Sequence, residues 1–447
     1  MNNTQSRGAD SDITIVGAGF TGLTAGLVLS KMGYKVCILD SASSPGGLAG
    51  TFEFADGVSL EKFYHHWFNN DVYVPELVKE LGMEGDVVTM PSRTGMYFNG
   101  RMWALSTPLD LLRFKALSFI NRIRLGLLVF QVRLIKDWRK IEHLSIREWL
   151  EPLCGKAVYE TVWAPLGNSK FAVYAEDVNA VWMWKKLVLR GSTRNEKGGE
   201  ELAYFKGGFG RLSESMVSEI EANGGSVHLN TEVSDVQVKG NKILAINSKD
   251  GRQFTAQQFL FTPSLSIIAD FFESVATDTW LAELRRVKYL GNMCLTLRLD
   301  RSLSEIYWLN VNDPGFPFVG VIEHTNFDQP DHYNNSHIVY LSRYLAIEEP
   351  VWTYSDEEYL DFSISHLQRM FPGFDRSWII ESNTWRAEYA QPITERNYSQ
   401  YVPGKETPFE NGHISTMAHI YPEDRGTNYA IREGRHAGDL IANLLRR

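Results

Sequence analysis

The apolar run Ile13–Val16 stands between a polar N-terminal stretch and Gly17, and a second apolar run, Val36–Leu39, closes on Asp40. Short continuous apolar runs predict strands buried on both faces, as in a parallel sheet. Small residues between them, Gly17-Ala-Gly19-Phe20-Thr21-Gly22-Leu-Thr-Ala-Gly26, predict a tight turn opening into a helix. Further along, the pattern predicts a helix over Pro75–Leu81, strand pieces at Gly95–Phe98 and Trp103–Leu105, and long helices to about Trp184. A helix over Leu212–Ala222 follows, then a hairpin whose runs Val233–Val238 and Ile243–Asn247 flank Lys239-Gly-Asn-Lys242. Strands are predicted through Phe254 to Phe261, at Met293–Leu299, Phe318–Glu323 and Ile338–Tyr344, and a helix over Glu357–Met370. The chain closes with a strand over Ile414–Ile420, a turn at Asp424–Asn428 and a helix from Ala430.

Gly17-x-Gly19-x-x-Gly22 between strand and helix is a dinucleotide signature with a physical basis. Gly17 makes the turn, Gly19 admits the pyrophosphate to the backbone, and Gly22 packs the helix on the strand. The helix N-terminus, at Phe20 and Thr21, points free N–H groups at phosphate. Asp40, followed by Ser41, ends the second strand where an acid accepts hydrogen bonds from a ribose. At 447 residues the chain exceeds what one core usually serves, so two domains are expected. The fold class is α/β: a Rossmann-type domain interleaved with an α+β substrate-binding domain. Residues 1–90, 205–264 and 410–447 form the first; 91–204 (helical) and 265–409 form the second.

Gly46-Gly47-Leu48, just past the ribose acid, is a second glycine pair that an ordinary nicotinamide dehydrogenase does not need. With it the chain resembles flavoproteins of the amine oxidase, protoporphyrinogen oxidase and phytoene desaturase superfamily. The resemblance continues at Gly207-Gly208-Phe-Gly210, Thr231-Glu-Val233, Phe261-Thr262-Pro263 and Tyr421-Pro-Glu-Asp424-Arg-Gly426-Thr427-Asn428. It implies an FAD-binding domain, with these elements touching the active-site face, the adenine, the sheet edge near it and the ribityl–flavin region in turn. The implied cofactor residues are Gly17, Gly19, Phe20, Thr21, Gly22, Asp40, Ser41, Gly46, Gly47, Leu48, Val233, Thr262, Pro263, Asp424, Gly426, Thr427 and Asn428. As a helix start, the last turn also offers Thr427 or Asn428 as N-cap.

Substrate chemistry has three candidate segments. In Glu61–Phe68, His65 and His66 read as a strand with the two rings on opposite faces, so at most one of them, preferably His66, faces the flavin, the alternative being a surface or hydrogen-bonded core histidine. Trp163–Phe171 lines a channel or packs. Trp385–Pro392 resembles the active-site wall of protoporphyrinogen oxidase relatives and offers Arg386 and Tyr389; Arg386 binds an anionic group there, or forms a structural salt bridge. Amine oxidases keep a lysine near flavin N5; here Leu295 stands at about that position, which disfavours amine oxidation. The resemblance therefore implies a dehydrogenase or desaturase passing hydride from a lipophilic or lipid-linked substrate to flavin N5. The alternative is a redox-neutral sugar mutase resembling UDP-galactopyranose mutase.

Net charge is −9, yet residues 111–140 carry eight basic side chains against the single acid Asp137. Phe119, Ile120, Ile123, Leu127, Phe130 and Leu134 interleave at helical spacing. Such a helix either lies on an anionic membrane surface or buries its stripe in the substrate domain. No nucleic-acid motif accompanies it, and the rest of the chain is acidic. Cys37, Cys154 and Cys294 have neither metal-ligand nor disulfide spacing, and no metal site is expected. With neither signal peptide nor long apolar span in the sequence, the chain is expected to be cytoplasmic, at the inner face of the membrane if the basic helix lies on lipid.

Overall fold

The structure, a computed structural model, describes residues 10–190 and 200–447; the polar stretch before residue 10 lies outside the described residues. Strand β1 (Ser11–Val16) leads through Gly17–Gly19 into helix α1 (Phe20–Lys31) and strand β2 (Val36–Leu39). β1 is paired in parallel with β2 on one side and with Gln253–Phe261 on the other, Ile15 standing opposite both Ile38 and Leu260. Ser226–His228 extends the sheet beyond β2, and Gly412–Ile414 extends it beyond Phe259–Phe261, again in parallel. Alternate residues serve two cores. Ile13, Ile15, Ile38 and Leu260 face one, while Val16, Leu39, Phe259 and Phe261 face the other, which is why neither run alternates with polar residues. The far end of Gln253–Phe261 instead pairs antiparallel with Lys242–Ser248, which pairs with Val233–Lys239.

The second large sheet, seven-stranded among the described residues, runs in the order Ile379–Pro392, Tyr289–Leu299, His337–Leu345, Gly320–Glu323, Trp308–Val311, Thr94–Phe98, Arg101–Ala104. Leu295, Leu297, Val339 and Leu341 are fully buried on it, and helix Asp356–Met370 packs against its Ile379–Pro392 edge. A helical layer with its own core of Trp149, Phe171, Val181 and Trp182 covers the other side. Helix α2 (Tyr73–Glu80) packs on the C-terminal helix Thr427–Leu445. That helix also lies along α1 through glycines: a Cβ on Gly434 would sit 2.5 Å from the Thr21 carbonyl oxygen, and one on Gly438 would sit 3.0 Å from Val28.

Several elements differ from the pattern. The closing strand ends at Ile414; Met417–His419 is a single 3-10 turn. Thr416 accepts from the Ala418 N–H at 3.2 Å and His419 Nδ1 accepts from the Thr416 N–H at 3.0 Å, local bonds that compete with a ladder. The C-terminal helix starts at Thr427 rather than Ala430. His65 and His66 lie in the connection before the two-residue strand Trp67–Phe68, not on a strand. The basic stretch is broken into helices α3 (Pro108–Arg113) and α4 (Phe119–Val132), with Ser118 capping the second. Its apolar stripe faces outward: Phe119 is 60%, Ile120 65%, Phe130 66% and Leu134 79% exposed, while Leu128 and Val132 face the core.

Candidate cofactor cleft and substrate cavity

The first turn is built so that only glycines fit. Gly17 has φ +105°, and a Cβ on it would meet Thr262 Oγ1 at 2.2 Å, while one on Gly22 would meet the Gly17 carbonyl oxygen at 2.0 Å. The second glycine pair folds back on the first: Gly46 N–H donates to the Ala18 carbonyl at 2.8 Å, and a Cβ on Gly47 would sit 3.1 Å from Gly19 Cα. Asp40 accepts from the Ala18 N–H at 2.6 Å and the Ala42 N–H at 2.8 Å, which fixes its carboxylate beside the turn. α1 and the C-terminal helix have Gly19 and Gly426 as N-caps, and neither has a side-chain cap. Their first N–H groups are therefore open to an acceptor.

A cleft of about 610 Å³ lies between these termini. Gly17, Gly19, Phe20, Thr21, Asp40, Ser41, Gly46, Gly47, Leu48, Val233, Thr262, Pro263, Gly426 and Thr427 all line it. Gly22 is not on the wall; it is the packing contact behind it. Two sequence candidates are corrected. Asn428 is buried, and its Oδ1 accepts from the Tyr73 and Val74 N–H groups at 2.8 and 3.2 Å, so it caps α2 rather than its own helix. Asp424 lines a different cavity, where its carboxylate pairs with Lys186 at 2.8 Å.

That second cavity, of about 260 Å³, adjoins the cleft at Leu48, His65, Arg425, Gly426 and Thr427, which line both. Its walls come from the 63–68 connection, helices Ala164–Phe171 and Ala180–Arg190, and the face of the seven-stranded sheet. His65 Nδ1 lies 2.6 Å from the Phe63 carbonyl, which only accepts, so that nitrogen carries the proton and Nε2 keeps its lone pair. Burial, with Arg425 nearby, pushes the His65 pKa down to about 4, so the ring is neutral near pH 7. His66 lines only the cavity and shares a 2.9 Å hydrogen bond with Tyr307 Oη.

Tyr344 anchors the polar end of the cavity. Arg425 Nη2 donates to its hydroxyl at 2.7 Å, and Lys170 Nζ lies 3.9 Å from its ring centre. Burial alone would raise the phenol's pKa, but the Arg425 and Lys170 cations outweigh it and bring it to about 8. Lys170, Lys186, Tyr344 and Arg425 were not among the sequence candidates for catalysis. The one signal was Lys170 within the Trp163–Phe171 segment, of which Trp163, Leu166 and Lys170 do reach the wall.

Arg386 and Tyr389 do not reach it. Arg386 stands opposite Met293 in the ladder and donates to Asp356 Oδ1 at 2.9 Å and the Tyr354 carbonyl at 2.5 Å, on the side of helix Asp356–Met370. Tyr389 packs edge-on against Tyr289. Within the register shift opposite Leu290–Asn292, it is Ala390 that reaches the cavity. Leu295 is fully buried between its neighbouring strands, and Asn292 is the residue of its strand that reaches the wall.

The family model of flavin-containing amine oxidoreductases matches residues 20–442, nearly the whole chain. The chain belongs to this family. Among curated relatives, the 15-cis-phytoene desaturase of Solanum lycopersicum is 21% identical over 419 residues, which cover 88% of this chain and 70% of the desaturase. Cyclohexylamine oxidase from Brevibacterium oxydans IH-35A superposes with a TM-score of 0.75 at 15% identity, covering 98% of this chain and 100% of that one. Reduced UDP-galactopyranose mutase superposes with a TM-score of 0.73 at 13% identity, covering 97% and 96%. At such identities the solved structures share the fold. The protein is an FAD-dependent oxidoreductase, and its glycine-walled cleft fits FAD. Among the described residues no helix is long and apolar enough to cross a membrane.

Proposed function

We propose that this enzyme is a dehydrogenase or desaturase acting on a C–H bond of an apolar or lipid-linked substrate. The observation that carries the reading is a cavity walled largely by Phe63, Trp163, Leu166, Met183, Leu187 and Trp308 that opens into the cofactor cleft at His65 and Gly426. When bound, FAD supplies a two-electron acceptor for the hydride. The Gly17–Gly22 turn and the α1 N-terminus hold the pyrophosphate, and Asp40 with Ser41 accepts the ribose hydroxyls. Val233, Thr262 and Pro263 border the adenine end; Gly426 and Thr427 border the flavin end. The apolar walls orient the substrate and exclude water, and neutral His65 provides a hydrogen-bond acceptor at the junction.

An anionic membrane surface is the source of substrate in this reading. Helix Ala180–Arg190 lines the cavity, and Trp184 Nε1 on it donates to the Val132 carbonyl of α4 at 3.0 Å. The helix that shows Phe119, Ile120 and Phe130 to solvent, with exposed Arg124 and Arg133 beside them, thus backs a cavity wall. The test is anaerobic mixing of the oxidised holoenzyme with fractionated cell lipids while the visible flavin band is followed. Bleaching by a lipid fraction is expected. No bleaching by any fraction, together with turnover of a nucleotide sugar only after chemical pre-reduction, would replace this reading with the redox-neutral mutase.

A further inference from the structure

The cavity's charge does not suit an amine. Its wall carries Lys170, Lys186 and Arg425 against one carboxylate, Asp424. Asp424 is engaged by Lys186 at 2.8 Å, which leaves Lys170 and Arg425 with no direct carboxylate partner among the described residues. Both meet on Tyr344, one on its ring and one on its hydroxyl. Apart from Tyr344, the Arg425 guanidinium donates to a neutral group, Gln391 Oε1 at 3.1 Å. Lys170 and Lys186 line the cavity and not the cofactor cleft, so the phosphates held by the Gly17–Gly22 turn do not offset them. Three cations against one carboxylate in a partly enclosed site are costly unless a further anion joins them. An ammonium would meet repulsion there.

We propose that Lys170 and Arg425, flanking Tyr344, bind an anionic group, a phosphate or a carboxylate, on the substrate oxidised in this cavity. The inference rests on the oxidoreductase reading above, which it narrows to an amphiphile with an anionic head at Tyr344 and an apolar body toward Trp163 and Trp308. A planar guanidinium and a point-charge ammonium together match a tetrahedral or planar oxyanion. Asp424, paired directly with Lys186, also attracts Lys170 and Arg425, but one carboxylate faces three cations.

The experiment titrates oxidised, FAD-loaded enzyme with octyl phosphate, octanoate, octanol and octylamine, reading saturable perturbation of the visible flavin band. Octyl phosphate or octanoate is expected to bind at least tenfold more tightly than octanol, and octylamine least. Lys170→Gln is expected to weaken anion binding about tenfold or more, the scale of a lost charge-assisted hydrogen bond, with Lys170→Arg restoring most of it. Equal binding of octanol and octyl phosphate to the wild-type enzyme overturns the proposal without recourse to any variant. So does unchanged anion affinity in a Lys170→Gln protein that retains its FAD. Inorganic phosphate separates two sources of the same chemistry: binding as tight as octyl phosphate points to a small phosphorylated substrate, and much weaker binding to a lipid-linked one. Either result supports the anion site. Because no turnover is read, anion binding without any lipid bleaching the flavin would sink the redox reading alone. Bleaching by neutral lipids with no preference for anions would sink the anion site alone.

Discussion

At the scale of single residues, the most consequential buried group outside the cavity is Glu61. One oxygen accepts from the Phe209 N–H at 2.6 Å and the other from Tyr204 Oη at 2.7 Å, so this carboxylate caps helix Gly208–Ala222, whose N-cap Gly207 has no side chain to do so. Burial raises its pKa to about 7, with Asp328 adding to the rise, against 4.5 in an unfolded chain. The folded protein thus holds a proton that the unfolded chain has already released. Stability contributed by the neutral acid is complete below pH 4.5, falls as pH rises to about 7, and is level beyond it. The cost is on the order of 3 kcal/mol at neutral pH. Glu61→Gln keeps an acceptor for Phe209 and cannot ionise. Its melting temperature is expected to lose less than the wild type between pH 5 and pH 8; parallel profiles would show that Glu61 does not titrate in this window.

Among elements, α4 is the one whose sequence pattern had two physical outcomes. Helical spacing alone fixes which residues share a face but not whether that face meets protein or solvent; the core takes Leu128 and Val132, and the longer stripe is left outside. Replacing Phe119 and Phe130 by Asp is expected to abolish sedimentation with phosphatidylglycerol vesicles while leaving FAD content unchanged, and raising salt is expected to weaken wild-type binding. Wild-type protein that stays in the supernatant at low salt would reduce the stripe to an exposed apolar face with no lipid partner. The strands of the parallel nucleus were legible for a different reason. Burial on both faces leaves a signature, a short run that is apolar but for the buried Thr14 and is closed by a glycine turn or an acid. Arg386 misled because a long strand with a register shift near Leu290 does not reveal, from alternation alone, which side each residue takes.

Across the whole molecule, the cleft was readable and the cavity was not. Gly17–Gly22, Asp40 and Gly46–Gly47 lie close together in the chain and each is explained by local backbone demands. Lys170, Lys186, Tyr344 and Arg425 come from four separate elements, and only the packing of the helical layer on the seven-stranded sheet makes them neighbours. The two helix termini that face the cleft are likewise set by tertiary packing, through Gly434 and Gly438 against α1. Gly434→Val would push side-chain atoms into the Thr21 backbone, where a Cβ already meets the carbonyl at 2.5 Å. A loss of about 1–3 kcal/mol in stability is expected, the usual cost of overpacking. FAD retention should fall with it, and excess FAD should partly restore the melting temperature because ligand binds only the folded state. A variant with wild-type melting and full flavin content would show that the helices adjust to one another freely.

Three distant stretches of chain meet in that cleft: the Gly17–Gly47 turns, Thr231–Pro263, and the Gly426–Thr427 helix start. During synthesis the first is made early and the last only after some four hundred residues have left the ribosome, so the flavin end has no wall while the chain is growing. Cofactor capture consequently waits for the Gly426–Thr427 segment to be made and folded. Because FAD binds only the folded chain, its supply is then expected to govern how much of the protein is held folded as well as how much is active.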